Sequence, residues 1–254
     1  MKEDNIKRAV KEQYSQIAKQ SGQACCSPTS CCCGTNPEAE AILAGYTKEE
    51  LARIPQEAVL GLGCGNPVAC AGLKSGETVL DLGSGAGIDV FLASLKVGPN
   101  GKAIGVDMTP EMVTKANSLA KDKGYENVEF RLGEIEKLPV ADSSVDTIMS
   151  NCVINLAPDK SRVFREAYRS LKPGGKIVIS DIVSELPLPA AMQADLNAWS
   201  QCVSGALQKD EYIAKIREAG FRTPEILSER SFYVEAGPDN EMQRLFSVTV
   251  RADK

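Results

Sequence analysis

Three features of the chain have residue types and spacing suited to chemistry. The first is nine cysteines with no histidine beside them. Five crowd into "QACCSPTSCCCG" as Cys25, Cys26, Cys31, Cys32 and Cys33, and four stand apart: Cys64 in "GLGCGNP", Cys70, Cys152 in "SNCVINL" and Cys202 in "CVSGAL". Thiolates are soft ligands, nucleophiles and redox groups. The second is "VLDLGSGAG", which sets Asp81, Gly83, Ser84, Gly85 and Gly87 in one turn, where glycines let the backbone fold tightly and a ligand approach it. A dinucleotide fingerprint would space its glycines G-x-G-x-x-G and rest a diphosphate on the following helix. Here the spacing is G-x-G-x-G with an acid two residues ahead, which suits a positively charged ligand. The third is Asp107, followed by Met108 in "GVDM", about twenty residues beyond the loop, where an acid can take both ribose hydroxyls.

These residues need a scaffold, and the apolar pattern predicts one. From Thr78 short apolar runs alternate with amphipathic segments: "TVLDL" and a helix from about Ile88, "KAIGVDM" and "PEMVTKANSLAKDKG", "NVEFRLG", "VDTIMSN" and "DKSRVFREAYRSLKPGG", then "KIVISDI". Strand and helix in alternation give an α/β fold, a doubly wound, mostly parallel, Rossmann-like sheet. Pro110 at a helix start after the cap Thr109, and "LKPGG" ending another helix, punctuate it consistently. Ahead of the sheet, Ile6, Val10, Tyr14 and Ile17 recur at helical spacing, and the cysteine-rich stretch that follows reads as a loop. "TKEELARI" reads as a short helix. After Asp181 the alternation breaks into helices near 190–206 and 209–219 and the strand-like runs "EILSERSFYVE" and "RLFSVTVRA", a small α+β extension. The resulting division is 1–60 for the N-terminal helix and cysteine-rich loop, 61–182 for the nucleotide-type domain and 183–254 for the C-terminal extension.

Composition excludes several functions. With 254 residues there is room for one core of about 150 residues and appendages. A net charge of −5 and a pI near 5.1 argue against nucleic acid or an anionic membrane as partner. No apolar run reaches the ~20 residues of a membrane helix and the N-terminus lacks a signal-peptide core, so a cytoplasmic location is expected. Cysteines in a reducing cytosol are seldom staples, which leaves ligands, redox groups or small buried hydrophobes.

The glycine loop with its leading acid, "DxGxGxG", resembles motif I of class I S-adenosylmethionine methyltransferases, whose ligand carries an amino acid end and a sulfonium. Beyond the third strand, "GEIEKLP" offers Ile135 to cover an adenine and Glu134 or Glu136 to accept from its amino group. Oxygen and nitrogen acceptors usually need a general base, commonly histidine, which turns attention to acceptors needing none. Cys152 falls at the carboxyl end of a strand, the productive edge of such sheets, and Cys64 and Cys202 can fold over it. Three soft thiolates without imidazole suit trivalent arsenic, which takes three sulfurs and keeps a lone pair able to attack a methyl group. Structural zinc competes, but paired C-x₂₋₄-C knuckles are missing. Packing as a small hydrophobe is the ordinary reading of Cys70, and of Cys202 on pattern alone.

With "GLGCGNP", "VLDLGSGAG", "GVDMTPEMV", "SNCVINLAPDK", "LKPGG" and "CVSGAL" together, the chain resembles the arsenite S-adenosylmethionine methyltransferases. The resemblance implies S-adenosylmethionine as cofactor with no permanent metal, and arsenite or its glutathione conjugate as substrate. It implies Cys64, Cys152 and Cys202 as the As(III) thiolates, with Cys152 and Cys202 the core pair. It further implies a disulfide relay through an N-terminal cysteine, reopened by thioredoxin or glutathione. Cys32 and Cys33 in "CCG" match that cysteine best, and its partner toward Cys64 stays open. A methyltransferase for an organic acceptor and a non-catalytic metalloid binder share parts of this pattern and remain as alternatives.

Overall fold

The computed structural model describes residues 3–20, 36–193, 195, 199, 202–235 and 242–254. Cys25, Cys26, Cys31, Cys32 and Cys33 lie outside the described residues. Five parallel strands form the frame: β1 (Thr78–Leu82), β2 (Lys102–Asp107), β3 (Val128–Leu132), β4 (Val145–Asn151) and β5 (Leu171–Ser184). Two C-terminal strands, β6 (Arg222–Glu235) and β7 (Met242–Asp253), continue the same sheet. The order is β3-β2-β1-β4-β5-β7-β6, with β7 antiparallel to both β5 and β6. The C-terminal strands are thus an extension of the main sheet, paired along β5 from Lys176↔Asp253 to Ser184↔Leu245.

β1 shows why the sheet is wound on both faces. Four of its five residues are buried. Val79 packs with Phe91, Met112 and Met149 on one face, while Leu80 and Leu82 pack with Phe164, Tyr212 and Phe246 on the other. Side chains alternate across a strand, so a run buried at every position must be covered twice. α5 (Ile88–Val97) and α6 (Pro110–Asp122) cover the first face, and α7 (Lys160–Ser170), together with the later helix over Lys209–Glu218, the second. Phe91 anchors the first face, with ring centroids 4.7 Å from Tyr125 and 5.6 Å from Phe130.

The N-terminal helix α1 (Glu3–Gln20) lies across the carboxyl ends of the strands. Its Ile6 and Val10 join a third apolar cluster with Cys152, Cys202, Ile182 and Leu245. Lys7 pairs with Glu134 at 2.7 Å and Glu136 at 2.9 Å, and Lys19 with Glu111 at 3.1 Å. Three short helices follow: α2 (Pro37–Leu43), α3 (Lys48–Leu51) and α4 (Pro67–Cys70). Thr47 and Glu50 close a reciprocal capping box on α3. In the stretch expected to be helical over 190–206, the described helix is α8 (Ala190–Gln193), and the helix over Lys209–Glu218 is α9. Among the described residues no helix is long and apolar enough to cross a membrane.

Because Phe91 is fully buried against two other rings, Phe91→Ala should destabilise the fold by about 3–5 kcal/mol, read as a lowered urea midpoint. An unchanged midpoint would show that this face of the sheet does not carry the core.

Candidate active site

A cleft of about 1100 Å³, open mouth included, runs along the carboxyl ends of β1, β2 and β4. The glycine loop builds one wall. Gly83 has φ +68°, and a β-carbon there would collide with the Val153 side chain; at Gly87, with φ +101°, it would meet Phe130 and Phe91. Gly85 has open space before it. The loop is therefore packed from behind and bare in front, as a backbone that receives a ligand must be. The Oγ of Ser84 is buried without a partner.

The floor is acidic. Asp81, Asp89 and Asp107 all line the cleft and are nearly inaccessible. Asp107 accepts from the backbone N–H groups of Gly85 at 2.9 Å and Thr109 at 2.8 Å, which fixes its carboxylate across the loop. It thereby fixes Thr109, the N-cap residue of α6, whose own side chain makes no cap bond. Burial pushes Asp81 well above the usual carboxylate range, and the charges of Asp89 and Asp107 push it further. Burial also raises Asp107, against its two backbone donors, and raises Asp89 to about 6, opposed by bonds from Tyr46 and Asn151. Lys7 is the only cation among the described lining residues, and it is engaged by Glu134 and Glu136 at the rim. Three acids without a facing cation, an orphaned serine hydroxyl and a bare glycine backbone fit a ligand that brings positive charge and polar groups of its own.

The structure brings the sequence-predicted residues to this cleft: Asp81, Gly83, Ser84, Gly85, Asp107, Met108, Ile135, Glu136 and Cys152 line it. Gly87 stands behind the loop as the N-cap of α5. Glu136 is buried and held by Lys7, which differs from the solvated loop acid that the sequence suggests.

The isolated cysteines meet at the inner end. Cys64 and Cys152 are joined by a disulfide, Cα atoms 5.8 Å apart, and the Cys202 Sγ donates to the Cys152 carbonyl at 2.6 Å. The resemblance implies Cys64, Cys152 and Cys202 together as arsenic thiolates and a disulfide partner for Cys64 among the N-terminal cysteines; here Cys64 is paired with Cys152. The cause of this pairing is Asn151, whose Oδ1 accepts from Cys64 N–H at 3.0 Å and Gly65 N–H at 3.3 Å, while its Nδ2 donates to Gly65 O at 2.8 Å. That clasp lays the "GCGNP" loop on the end of β4. Gly63 and Gly65 permit it: a β-carbon at Gly63 would lie 2.7 Å from Asn151 Nδ2, and one at Gly65 2.5 Å from Ser180 Oγ. Cys152 and Cys202 hold left-handed backbone, φ 57° and 64°, a conformation non-glycine residues adopt where the surroundings over-determine them. Cys70 sits apart in α4.

Sequence reasoning missed Asp89, Tyr46 and Asn151. Tyr46 Oη donates to Asp89 at 2.7 Å, and Asn151 Nδ2 donates to Tyr46 Oη at 2.8 Å and Asp89 at 3.2 Å. The one signal was Asp89 in the first turn of a mostly apolar helix, where it is buried with Val90, Phe91, Leu92 and Ala93. Behind Cys202 lies another unforeseen pair, Asp181, raised to about 7 by burial, and Lys160, lowered to about 8 by burial. Burial also pushes the Cys202 thiol well up; the Asp181 charge adds to this and Lys160 opposes it.

The sheet order and this cleft define a class I S-adenosylmethionine-dependent methyltransferase, and the methyltransferase-domain family profile matches residues 73–220. A crystal structure of an arsenic(III) S-adenosylmethionine methyltransferase from Chlamydomonas reinhardtii superposes with TM-score 0.68 and 38% identity, covering 87% of this chain and 75% of that one. An arsenite methyltransferase of Halobacterium salinarum is 46% identical across 99% of this chain and 67% of its own length. One from Aquipseudomonas alcaligenes is 35% identical across 97% of this chain and 71% of its own. The chain belongs to the arsenite methyltransferase family.

The buried acids give a pH signature. Asp89 has a folded value near 6, above its unfolded one, so its contribution to stability is complete below the unfolded value and lost as pH rises through 6. The free protein should be less stable at about pH 8 than at about pH 5, and Asp89→Asn should remove about 1–2 kcal/mol of that difference in urea titrations. An unchanged slope would show that Asp89 is not the group being titrated.

Proposed function

We propose that this protein transfers a methyl group from S-adenosylmethionine to trivalent arsenic held on its own cysteines. The observation that carries the reading is the meeting of Cys64, Cys152 and Cys202 at the inner end of the acidic cleft, with Cys152 lining it. Asp81 and Asp89 are suited to the cofactor's amino acid end, Asp107 to its ribose, and Ile135 with Glu136 to its adenine. When bound, S-adenosylmethionine supplies a methyl group on a positively charged sulfur.

The chain's residues then do three things. With the Cys64–Cys152 pair reduced, Cys152 and Cys202 take arsenite by exchange: two of its three As–O bonds are replaced by As–S bonds, and each thiol proton leaves with the displaced hydroxide as water, the third hydroxide staying on arsenic. The raised Cys202 thiol is no obstacle, because the exchange consumes no net base. Ile6, Val10, Leu156 and Ile182 exclude water around the bound arsenic. The arsenic lone pair needs no proton removed before it attacks, which agrees with a chain that has no histidine.

Attack leaves arsenic oxidised by two electrons. Two thiols closing a disulfide return it to the trivalent state, and an external thiol, thioredoxin or glutathione, reopens the bond by exchange. Cys64 with Cys152 is one pair within reach, and Cys32 and Cys33 are the others we assign to this relay. The biological role in this reading is arsenic detoxification in the cytoplasm.

Incubation with arsenite, S-adenosylmethionine and a thiol, followed by chromatography with elemental detection, should yield methylated arsenic from the wild type. Cys152→Ser and Cys202→Ser should each reduce the rate by about a hundredfold or more while cofactor affinity persists. Full activity in both variants would assign the chain an organic acceptor and leave these cysteines as packing.

A further inference from the structure

We propose that Asn155 is the positioning residue that sets Cys202 against Cys152. The proposal rests on the reading of these two cysteines as the arsenic thiols, and it adds a residue that touches neither sulfur nor cleft.

Asn155 lies in a 3-10 turn, Ile154–Leu156, three residues beyond Cys152, and is fully buried. Its Nδ2 donates to the Ile182 carbonyl at 2.6 Å and to the Cys202 carbonyl at 3.3 Å. One amide therefore fastens the segment carrying Cys202 to the end of β5, two residues beyond Ser180 of the same strand, whose carbonyl accepts from Cys152 N–H at 2.8 Å. The two thiol-bearing backbones, otherwise 50 residues apart, are registered through this side chain.

The turn is itself held from beneath. Asn155 N–H donates to Asp181 at 3.2 Å, and the same carboxylate accepts from Tyr212 Oη at 3.1 Å and Ile182 N–H at 3.0 Å. Lys160 Nζ donates to the carbonyls of Asn155 at 3.3 Å and Ala157 at 3.1 Å. A carboxylate and an ammonium thus grip the backbone of the residue whose side chain grips Cys202. The fit is close on the far side too, since a β-carbon at Gly205 would collide with the Asn155 carbonyl.

Packing alone does not account for asparagine here. Its buried Oδ1 has no partner, a cost an apolar residue of similar size would not carry. The donors are what the site uses. Cys202 needs such a hold because its left-handed backbone is not one that cysteine keeps unaided. A trivalent arsenical bridges two sulfurs only at a narrow range of separations, so slack in this clamp falls on dithiol binding.

The test uses the full reduced chain and phenylarsine oxide, a trivalent arsenical that bridges thiol pairs. Trp199, the sole tryptophan, stands three residues before Cys202 with Lys160 Nζ 5.3 Å from its ring, and its fluorescence reports occupancy. Two variants strike the clamp differently: Asn155→Ala deletes the donors, and Asn155→Asp sets a carboxylate against two carbonyls. Each folded variant should bind phenylarsine oxide about tenfold or more weakly, while calorimetric affinity for S-adenosylmethionine stays within about twofold. Folded variants that bind the arsenical as the wild type does overturn the clamp alone, as does a parallel loss of both affinities, which marks general loosening. A wild type that leaves Cys152 and Cys202 unbridged overturns the thiol-site reading itself.

Discussion

The arrangement depends on one side chain at the end of the central strand. Asn151 binds Cys64 N–H and both backbone groups of Gly65 on one side, and Tyr46 Oη and Asp89 on the other. It thereby holds a loop from outside the sheet against β4 and ties the acidic floor to the thiol end. Its bonds are made to partners 62 to 105 residues away, so it joins parts of the chain that local propensity would never bring together. Asn151 is half-buried, and an amide engaged on both its oxygen and its nitrogen is held firmly, because each lost bond would leave a partly desolvated group behind.

A second constraint is electrostatic. Three carboxylates share one buried cleft whose only cation among the described lining residues, Lys7, is taken by Glu134 and Glu136, and each is driven up by burial. The free protein thus bears a cost that a cationic ligand relieves. In the proposed reading that cost acts as selectivity: an anionic nucleotide would add to the repulsion, whereas a sulfonium with an amino group would cancel it. The glycine loop is common to many nucleotide sites; the acids decide which nucleotide-like ligand belongs.

How much of this was legible follows from the range of the interactions. The parallel frame was readable because β1 and β2 are buried on both faces, so "TVLDL" and "KAIGVDM" are nearly continuous apolar runs, and because Pro110 and "LKPGG" are local signals. Asp81, Asp107 and the glycines were readable for the same reason: their spacing within one turn is their geometry. Asp89 resembled an ordinary acid in a first helical turn, and nothing near it in sequence reveals Tyr46 beneath it. The pairing of Cys64 with Cys152 spans 88 residues and is set by Asn151 and by glycines whose purpose shows only when the side chains they avoid are in place. α1 was read as amphipathic, yet that its Lys7 would occupy Glu134 and Glu136 could not be inferred from periodicity.

The two halves of the site ask for opposite environments, and the fold separates them by strand ends. The cofactor side is polar, with its charge unmatched. The thiol side is apolar, enclosed by Ile6, Val10, Leu156, Ile182 and Leu245. A base-dependent acceptor would need a titrating group facing it at that end, and the buried pair behind Cys202, Asp181 and Lys160, is engaged with the Asn155 backbone instead. An acceptor that reacts through a lone pair, and exchanges onto thiols without net loss of a proton, asks for no such group. In the proposed reading, the absence of histidine and the apolar enclosure of the cysteines are one feature seen twice: a nucleophile that brings its own electrons requires soft ligands held at a fixed separation, and dryness.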